Sequence, residues 1–208
     1  MHEDPRPNQV LVLGIVGEMT LALISLLLGW WSGVNVVQPF LGRSLSADLI
    51  VGFLATLPLL GGMLLVDRSR LAPFRQLRDV VDRLILPVLN GASVWMLALI
   101  SLAAGLGEEL LFRGLIQQGL TQGWLIQGWS RELGLVVAWL VAGGLFGLAH
   151  AITRAYFGLA VVAGLYLGFL YWYFESLLIP IACHALYDFC ALLYLTRRKV
   201  EKKKRPDQ

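Results

Sequence analysis

Long apolar runs, almost free of charged side chains, are the feature that most constrains this chain. A transmembrane helix needs roughly 20 apolar residues. The runs cover residues 10–31, 47–66, a third region that begins near Ile85 and continues past Leu106, 133–152, 156–174 and 178–196. Only 15% of the residues are charged and 57% are hydrophobic, whereas soluble chains average about 25% and about 45–50%. The sequence therefore predicts an all-α polytopic membrane protein, a transmembrane bundle of about six to eight helices, and excludes an ordinary cytosolic enzyme.

The chain is too short to add a soluble domain to such a bundle. At about 30 residues per span and loop, 208 residues provide six or seven spans. We therefore expect a single integral membrane domain over residues 1–208. The first run lacks a small-residue cleavage site, which favours an uncleaved anchor over a signal peptide. Glu18 interrupts this run, so we expect a polar contact inside the bundle or a snorkelling site there.

The basic side chains are distributed unevenly, although the formal net charge is only +3. Seven of the seventeen Lys and Arg residues lie in the tail 197–208. Because this tail directly follows an apolar run, we expect it to face the cytoplasm and anionic lipid headgroups, and we expect no nucleic acid as a partner. Five arginines and apolar residues at helical spacing in 68–83 predict an amphipathic helix on the same side. The membrane would be a bacterial inner or related membrane, with both termini cytoplasmic.

Ionisable side chains within the apolar runs are the strongest candidates for function, since each is costly there unless it is paired. The candidates are Glu108, Glu109, Arg113, His150, His184 and Asp188. Adjacent helical residues point about 100° apart, so Glu108 and Glu109 cannot have the same role. Glu109 precedes Arg113 by four residues, the favoured order for an ion pair along one helix face. Glu108 then has no local cation and is free to act as a general base; alternatively, all three residues merely tie two helices together.

The two histidines within the spans suggest partners for Glu108. His150, on the next span, could orient the base or share its proton. His184 could donate to a developing oxyanion while Asp188, four residues later, holds its ring or a bound water. A zinc site formed by the glutamate, both histidines and the aspartate is the alternative, although no His-Glu-x-x-His helix is present.

Three short motifs resemble those of one family. Residues 108–113, Glu-Glu-Leu-Leu-Phe-Arg, resemble the Glu-Glu-x-x-x-Arg motif of the CAAX-protease and bacteriocin-processing family (CPBP, or Abi) of intramembrane proteases. Residues 146–150, Phe-Gly-Leu-Ala-His, resemble its Phe-x-x-x-His motif. Residues 184–188, His-Ala-Leu-Tyr-Asp, resemble its His-x-x-x-Asn/Asp motif. The motifs occur in the family's order on separate predicted helices, and the resemblance covers about residues 94–195.

The resemblance implies a glutamate-dependent endopeptidase whose site lies within the bilayer and whose substrate is a membrane-associated protein or peptide. It implies that Glu108 activates water, assisted by His150, without a cofactor; a zinc-dependent mechanism is the alternative. Phe146 would pack against His150 and orient it. By the same resemblance, Glu109 and Arg113 form a supporting ion pair.

The third motif implies that His184 and Asp188 stabilise the oxyanion of the tetrahedral intermediate. Asp188 stands where the eukaryotic prenyl-protein proteases have asparagine, and an ionised aspartate would repel an oxyanion. Either Asp188 is protonated, or its role is to orient His184.

Two other functions are compatible with the same residues. One is a non-catalytic membrane scaffold or bacteriocin-immunity-type protein that retains the motifs, and the other is a proton-coupled transporter that uses Glu108 and the histidines as a relay.

A shared site also requires a particular position of the third spanning helix. Glu108 and His150 can meet only if the third spanning helix covers roughly 94–120, which would leave 85–90 at the membrane interface.

Overall fold

The computed structural model describes residues 7–37, 44–128 and 130–204, and these form seven helices and no strand. They are α1 (Pro7–Ser32), α2 (Leu45–Arg68), α3 (consecutive segments Ala72–Val80, Val81–Ile85 and Leu86–Val88), α4 (consecutive segments Val94–Glu109, Leu110–Gln117 and Gln118–Ile126), α5 (Arg131–Ala149), α6 (Arg154–Phe174) and α7 (Leu178–Lys204). The prediction of an all-α architecture is confirmed.

Six of these helices, all except α3, are long and apolar enough to cross a membrane. Apolar side chains such as Leu13, Leu57 and Val162 point outward, whereas Glu109 and Arg113 are fully buried. This distribution is typical of a bundle whose outer surface meets lipid and whose polar groups must find partners inside.

Helix α4 begins at Val94, the start that a meeting of Glu108 and His150 requires. Ser93 caps its N-terminus by accepting a hydrogen bond from the Met96 amide at 3.2 Å, and 85–88 belong to α3 instead. The C-terminal end differs from the prediction, because α4 continues to Ile126 rather than ending near residue 120. The polar connector to α5 is correspondingly short.

The predicted amphipathic helix corresponds to α3, which lies outside the spanning helices. Arg78 donates to the carbonyls of Val66 and Ser69, each at 2.8 Å, and so fixes the turn between α2 and α3. At the same end of the bundle, Arg198 on α7 contacts both Asp67 and Asp82. Helix α7 extends to Lys204 into the basic tail, while residues 205–208 of that tail lie outside the described residues.

Helix α4 lies at the centre of the bundle. It packs against α1 on one side, α7 on another and α5 along its second half, while α5 and α6 form a closely packed antiparallel pair. A Cβ at Gly147 on α5 would lie 2.2 Å from Val161 Cγ2 on α6, so a larger residue there would push the two helices apart. Helices α4, α5 and α7, which carry the three motifs, therefore meet around one interior region.

Candidate active site

Glu108 and Glu109 lie in the middle of the longest spanning helix. Glu108 follows Val94 by fourteen residues, about 21 Å along the helix, and precedes Ile126 by eighteen residues, about 27 Å. Both carboxyl groups therefore lie far from either end of α4. Glu109 is fully buried, and the Glu108 side chain is 13% exposed.

Arg113 and Glu109 form the predicted ion pair. Arg113 Nη1 donates to Glu109 Oε1 at 2.8 Å, and neither side chain is exposed. The second guanidinium branch, Nη2, donates to the Gly164 carbonyl on α6 at 2.6 Å. One side chain therefore neutralises the buried carboxylate and also fastens α4 to α6. One turn further on, Gln117 donates to the Gly168 carbonyl at 3.1 Å and extends the same contact.

His184 lies between two carboxylates. Its Nδ1 donates to Glu109 Oε1 at 2.8 Å, since an ionised carboxylate oxygen can only accept. Its Nε2 lies 3.5 Å from Asp188 Oδ2, one helical turn along α7. This distance exceeds that of an ordinary hydrogen bond, so in the imidazolium form, which has a hydrogen on each nitrogen, Nε2 can still donate to another group. Glu109 thus binds Arg113 within α4 and His184 across the helix interface.

His150 faces Glu108. The His150 Nδ1 donates to the Phe146 carbonyl at 2.8 Å, because a carbonyl oxygen only accepts. This bond leaves Nε2 pointing at Glu108 Oε2, 3.5 Å away. Among the described residues, that oxygen is buried and has no hydrogen-bond partner.

Phe146 occupies the space between these groups. Its ring stacks on His150 with centroids 4.5 Å apart and meets His184 edge to face at 5.8 Å. Arg113 Cζ lies 4.7 Å from the Phe146 ring centroid, within the range of a cation–π contact. Phe146 therefore packs against both histidines and fixes the plane of His150.

The structure brings the six ionisable candidates together on three helices and adds two side chains from other helices. Tyr156 on α6 meets the His150 ring edge to face, with centroids 6.0 Å apart; nothing in the sequence separated it from an ordinary interfacial tyrosine. Glu18 on α1 lies against Gly107, next to Glu108. The sequence indicated Glu18 only as an acidic residue inside the first apolar run.

The nitrogen atoms of both histidines face oxygen atoms of the protein. Within the described part of the chain, no group of three or more His, Cys, Asp or Glu side chains is arranged to hold a metal ion. The arrangement places a carboxyl and an imidazole face to face, 3.5 Å apart, beside a second imidazole that is bonded to Glu109 and lies near Asp188. Such a set can take up, hold and return a proton.

Comparison with known proteins agrees with these motifs. A family model described as type II CAAX prenyl endopeptidase, Rce1-like, matches residues 90–190, a range that contains all three motifs. No curated protein and no solved structure matches the chain. Over residues 90–190, this multi-pass integral membrane protein belongs to the CPBP (Abi) family, a family of membrane proteases.

Proposed function

We propose that the protein is an intramembrane endopeptidase that hydrolyses a peptide bond of a membrane-associated protein or peptide by means of water activated by Glu108. The observation that carries this proposal is the 3.5 Å approach of Glu108 Oε2 to His150 Nε2 in the interior of a membrane bundle. Groups that handle protons in catalysis lie within hydrogen-bond reach of the reacting atoms, directly or through one water, and catalytic contacts are often long in the absence of substrate.

The proposed first step is attack by water on the scissile carbonyl carbon. A new C–O bond forms, the carbonyl π electrons move to its oxygen, and Glu108 takes the water proton. His150, fixed by Phe146, orients the Glu108 carboxyl and the attacking water. When the tetrahedral intermediate collapses, the C–N bond breaks and the proton passes from Glu108 to the leaving amine.

His184, in its imidazolium form with a hydrogen on each nitrogen, is the proposed donor to the oxyanion. Glu109 accepts the hydrogen of Nδ1, which fixes the ring and leaves Nε2 to face the site. The Asp188 carboxyl lies on the Nε2 side of the ring, which supports the role of orienting His184 rather than that of contacting the oxyanion. Removal of a preorganised oxyanion donor costs about 100- to 1,000-fold in rate in well-studied hydrolases.

The family description supports a substrate with a membrane-anchored C-terminal segment, such as a prenylated peptide. An interior site reached through the bilayer would receive a peptide whose lipid or apolar segment is already in the membrane. We propose no cofactor for the reaction, since the base, its partner and the oxyanion donor are all side chains.

The test uses purified protein in liposomes and two quenched fluorescent peptides, one with a farnesylated C-terminal Cys-Ala-Ala-X and one amphipathic and unlipidated. We expect the wild-type protein to cleave at least one of them in excess EDTA. We expect E108Q to be at least about 100-fold slower, because it cannot accept the proton. E132Q, which makes the same change at an exposed glutamate at the start of α5, provides the matched control and should leave the rate unchanged.

Cleavage of neither peptide by the wild-type protein, or equal cleavage by wild type and E108Q, would contradict the proposal. Loss of activity in EDTA that zinc restores would show that the reaction depends on a metal. A pH-driven proton flux into the liposomes that E108Q abolishes, without peptide cleavage, would favour a transporter.

A further inference from the structure

Glu18 on α1 lies outside the three motifs and outside the matched range 90–190, yet it lies at the site. A Cβ built on Gly107 would lie 2.4 Å from the Glu18 carbonyl oxygen and 3.1 Å from Glu18 Oε2. Residue 107 must therefore be glycine for α1 to approach α4 this closely. The approach places the Glu18 carboxyl beside the peptide unit that leads into Glu108.

Within the described part of the chain, the Glu18 carboxyl has one oxygen that no structural hydrogen bond satisfies. Its Oε2 is buried and has no hydrogen-bond partner among the described residues. Because an unpaired polar atom in an apolar environment is costly, a carboxyl retained there for packing alone would normally bond to a neighbouring helix. Ser25 on the same helix is buried and does have a partner, because its hydroxyl donates to the Leu21 carbonyl at 2.8 Å.

Charged groups of the site act on Glu18 from three other helices. They are Glu108 on α4, His184 and Asp188 on α7, and His150 at the end of α5. Charges interact strongly where water is scarce. Whatever charge Glu18 carries therefore acts on Glu108 and on both histidines.

We propose that Glu18 is a positioning residue for the hydrolytic reaction, with its carboxyl setting the orientation and the proton affinity of Glu108. This inference rests on the proposed function for its biological meaning, but the coupling between the two carboxyl groups does not depend on it. Glu18 acts through Glu108 and makes no contact with the substrate. Helix α1 is thereby a functional part of the site rather than only a membrane anchor.

The first experiment measures the coupling without any substrate. Dicyclohexylcarbodiimide, an apolar reagent, modifies protonated carboxyl groups within membranes, and tandem mass spectrometry can separate labelling of Glu108 from that of Glu109. We expect E18Q to displace the pH midpoint of Glu108 labelling by about one pH unit relative to the wild-type protein. S25A, a change at a buried polar residue of the same helix, should leave the midpoint in place. Coincident wild-type and E18Q profiles would overturn the proposal.

The second experiment measures hydrolysis of whichever peptide the wild-type protein cleaves. We expect E18Q to lower kcat by about 10- to 100-fold, as small displacements of a catalytic group do, with KM changed by less than about threefold. E18D, which retains the acid, should recover part of the rate. Equal losses in E18Q and E18D with an unchanged pH profile of kcat/KM would mean that Glu18 is only structural. An active E108Q would refute the proposed function instead, whereas the labelling result would still decide the coupling of the two carboxyl groups.

Discussion

At the scale of single residues, the site depends on one guanidinium group that serves three partners. Arg113 binds Glu109, reaches the Gly164 carbonyl and lies over the Phe146 ring. Lysine has the same charge but a single nitrogen, so it cannot make both hydrogen bonds in this geometry. Arg113 is therefore expected to be the least replaceable cation of the bundle.

R113K should lower the free energy of unfolding by about 1.5–3 kcal/mol, the cost of losing a buried hydrogen bond that involves a charged group. The measurement is a denaturation titration of the protein in mixed detergent micelles. R131K is the matched control, because Arg131 and Glu175 form an exposed pair at 3.6 Å and such pairs contribute little. If the two variants are equally stable, the Arg113 contacts do not support the fold as described.

Local pairs were predictable from sequence, and so was the approach of His150 to Glu108, but the other contacts across helices were not. The pairs Glu109–Arg113 and His184–Asp188 follow from a spacing of four residues on one helix. The contact between Glu109 and His184 joins residues 75 positions apart, so it depends on how α4 packs against α7. Tyr156 is near His150 only because α6 turns back along α5 after a short corner.

At the scale of elements, α4 departs from ideal helical geometry where the site is built. Residues Leu110–Gln117 are π-helical, and the Gln118 amide donates to the Arg113 carbonyl, five residues earlier. π-Helical turns are rare and are often found at functional sites. The start of α4 at Val94 was predictable, because only that register brings Glu108 to His150. The π-helical segment was not predictable, since apolar periodicity does not distinguish α from π geometry over two turns.

The contact between α1 and α4 makes a second prediction. G107A would place a methyl group 2.4 Å from the Glu18 carbonyl oxygen, so α1 must move, and we expect a loss of about 1–3 kcal/mol in unfolding free energy. In the same titration, G61A is the control, because a Cβ at Gly61 on α2 meets no atom within 4 Å. A G107A protein as stable as G61A would contradict the close approach of the two helices.

At the scale of the whole molecule, six spans place the start of α1, helix α3 and the end of α7 at one end of the bundle. The described arginines at that end are Arg68, Arg70, Arg75, Arg78, Arg83, Arg154, Arg197 and Arg198. The opposite end has Arg131 among the described residues. By the positive-inside rule, the arginine-rich end should face the cytoplasm.

A membrane-impermeant maleimide tests this orientation in intact bacterial cells. Cysteine at Gln127, in the corner between α4 and α5, should react, whereas cysteine at Gln76 on α3 should react only after the membrane is opened. The wild-type protein gives the background, because Cys183 and Cys190 both lie within a spanning helix. The reverse pattern would invert the orientation, and labelling of both positions from outside would contradict the arrangement of six spans.

In the proposed reaction, Glu108 activates water and does not attack the substrate itself. A single turnover in heavy-oxygen water, with enzyme in excess over the peptide that it cleaves, tests this claim by mass spectrometry of the product and of the Glu108 peptide. Direct attack by water predicts one heavy oxygen atom in the new product carboxyl and none in Glu108. Heavy oxygen in Glu108, or a product carboxyl without it, would mean that the glutamate forms a covalent intermediate and would rule out direct attack by water.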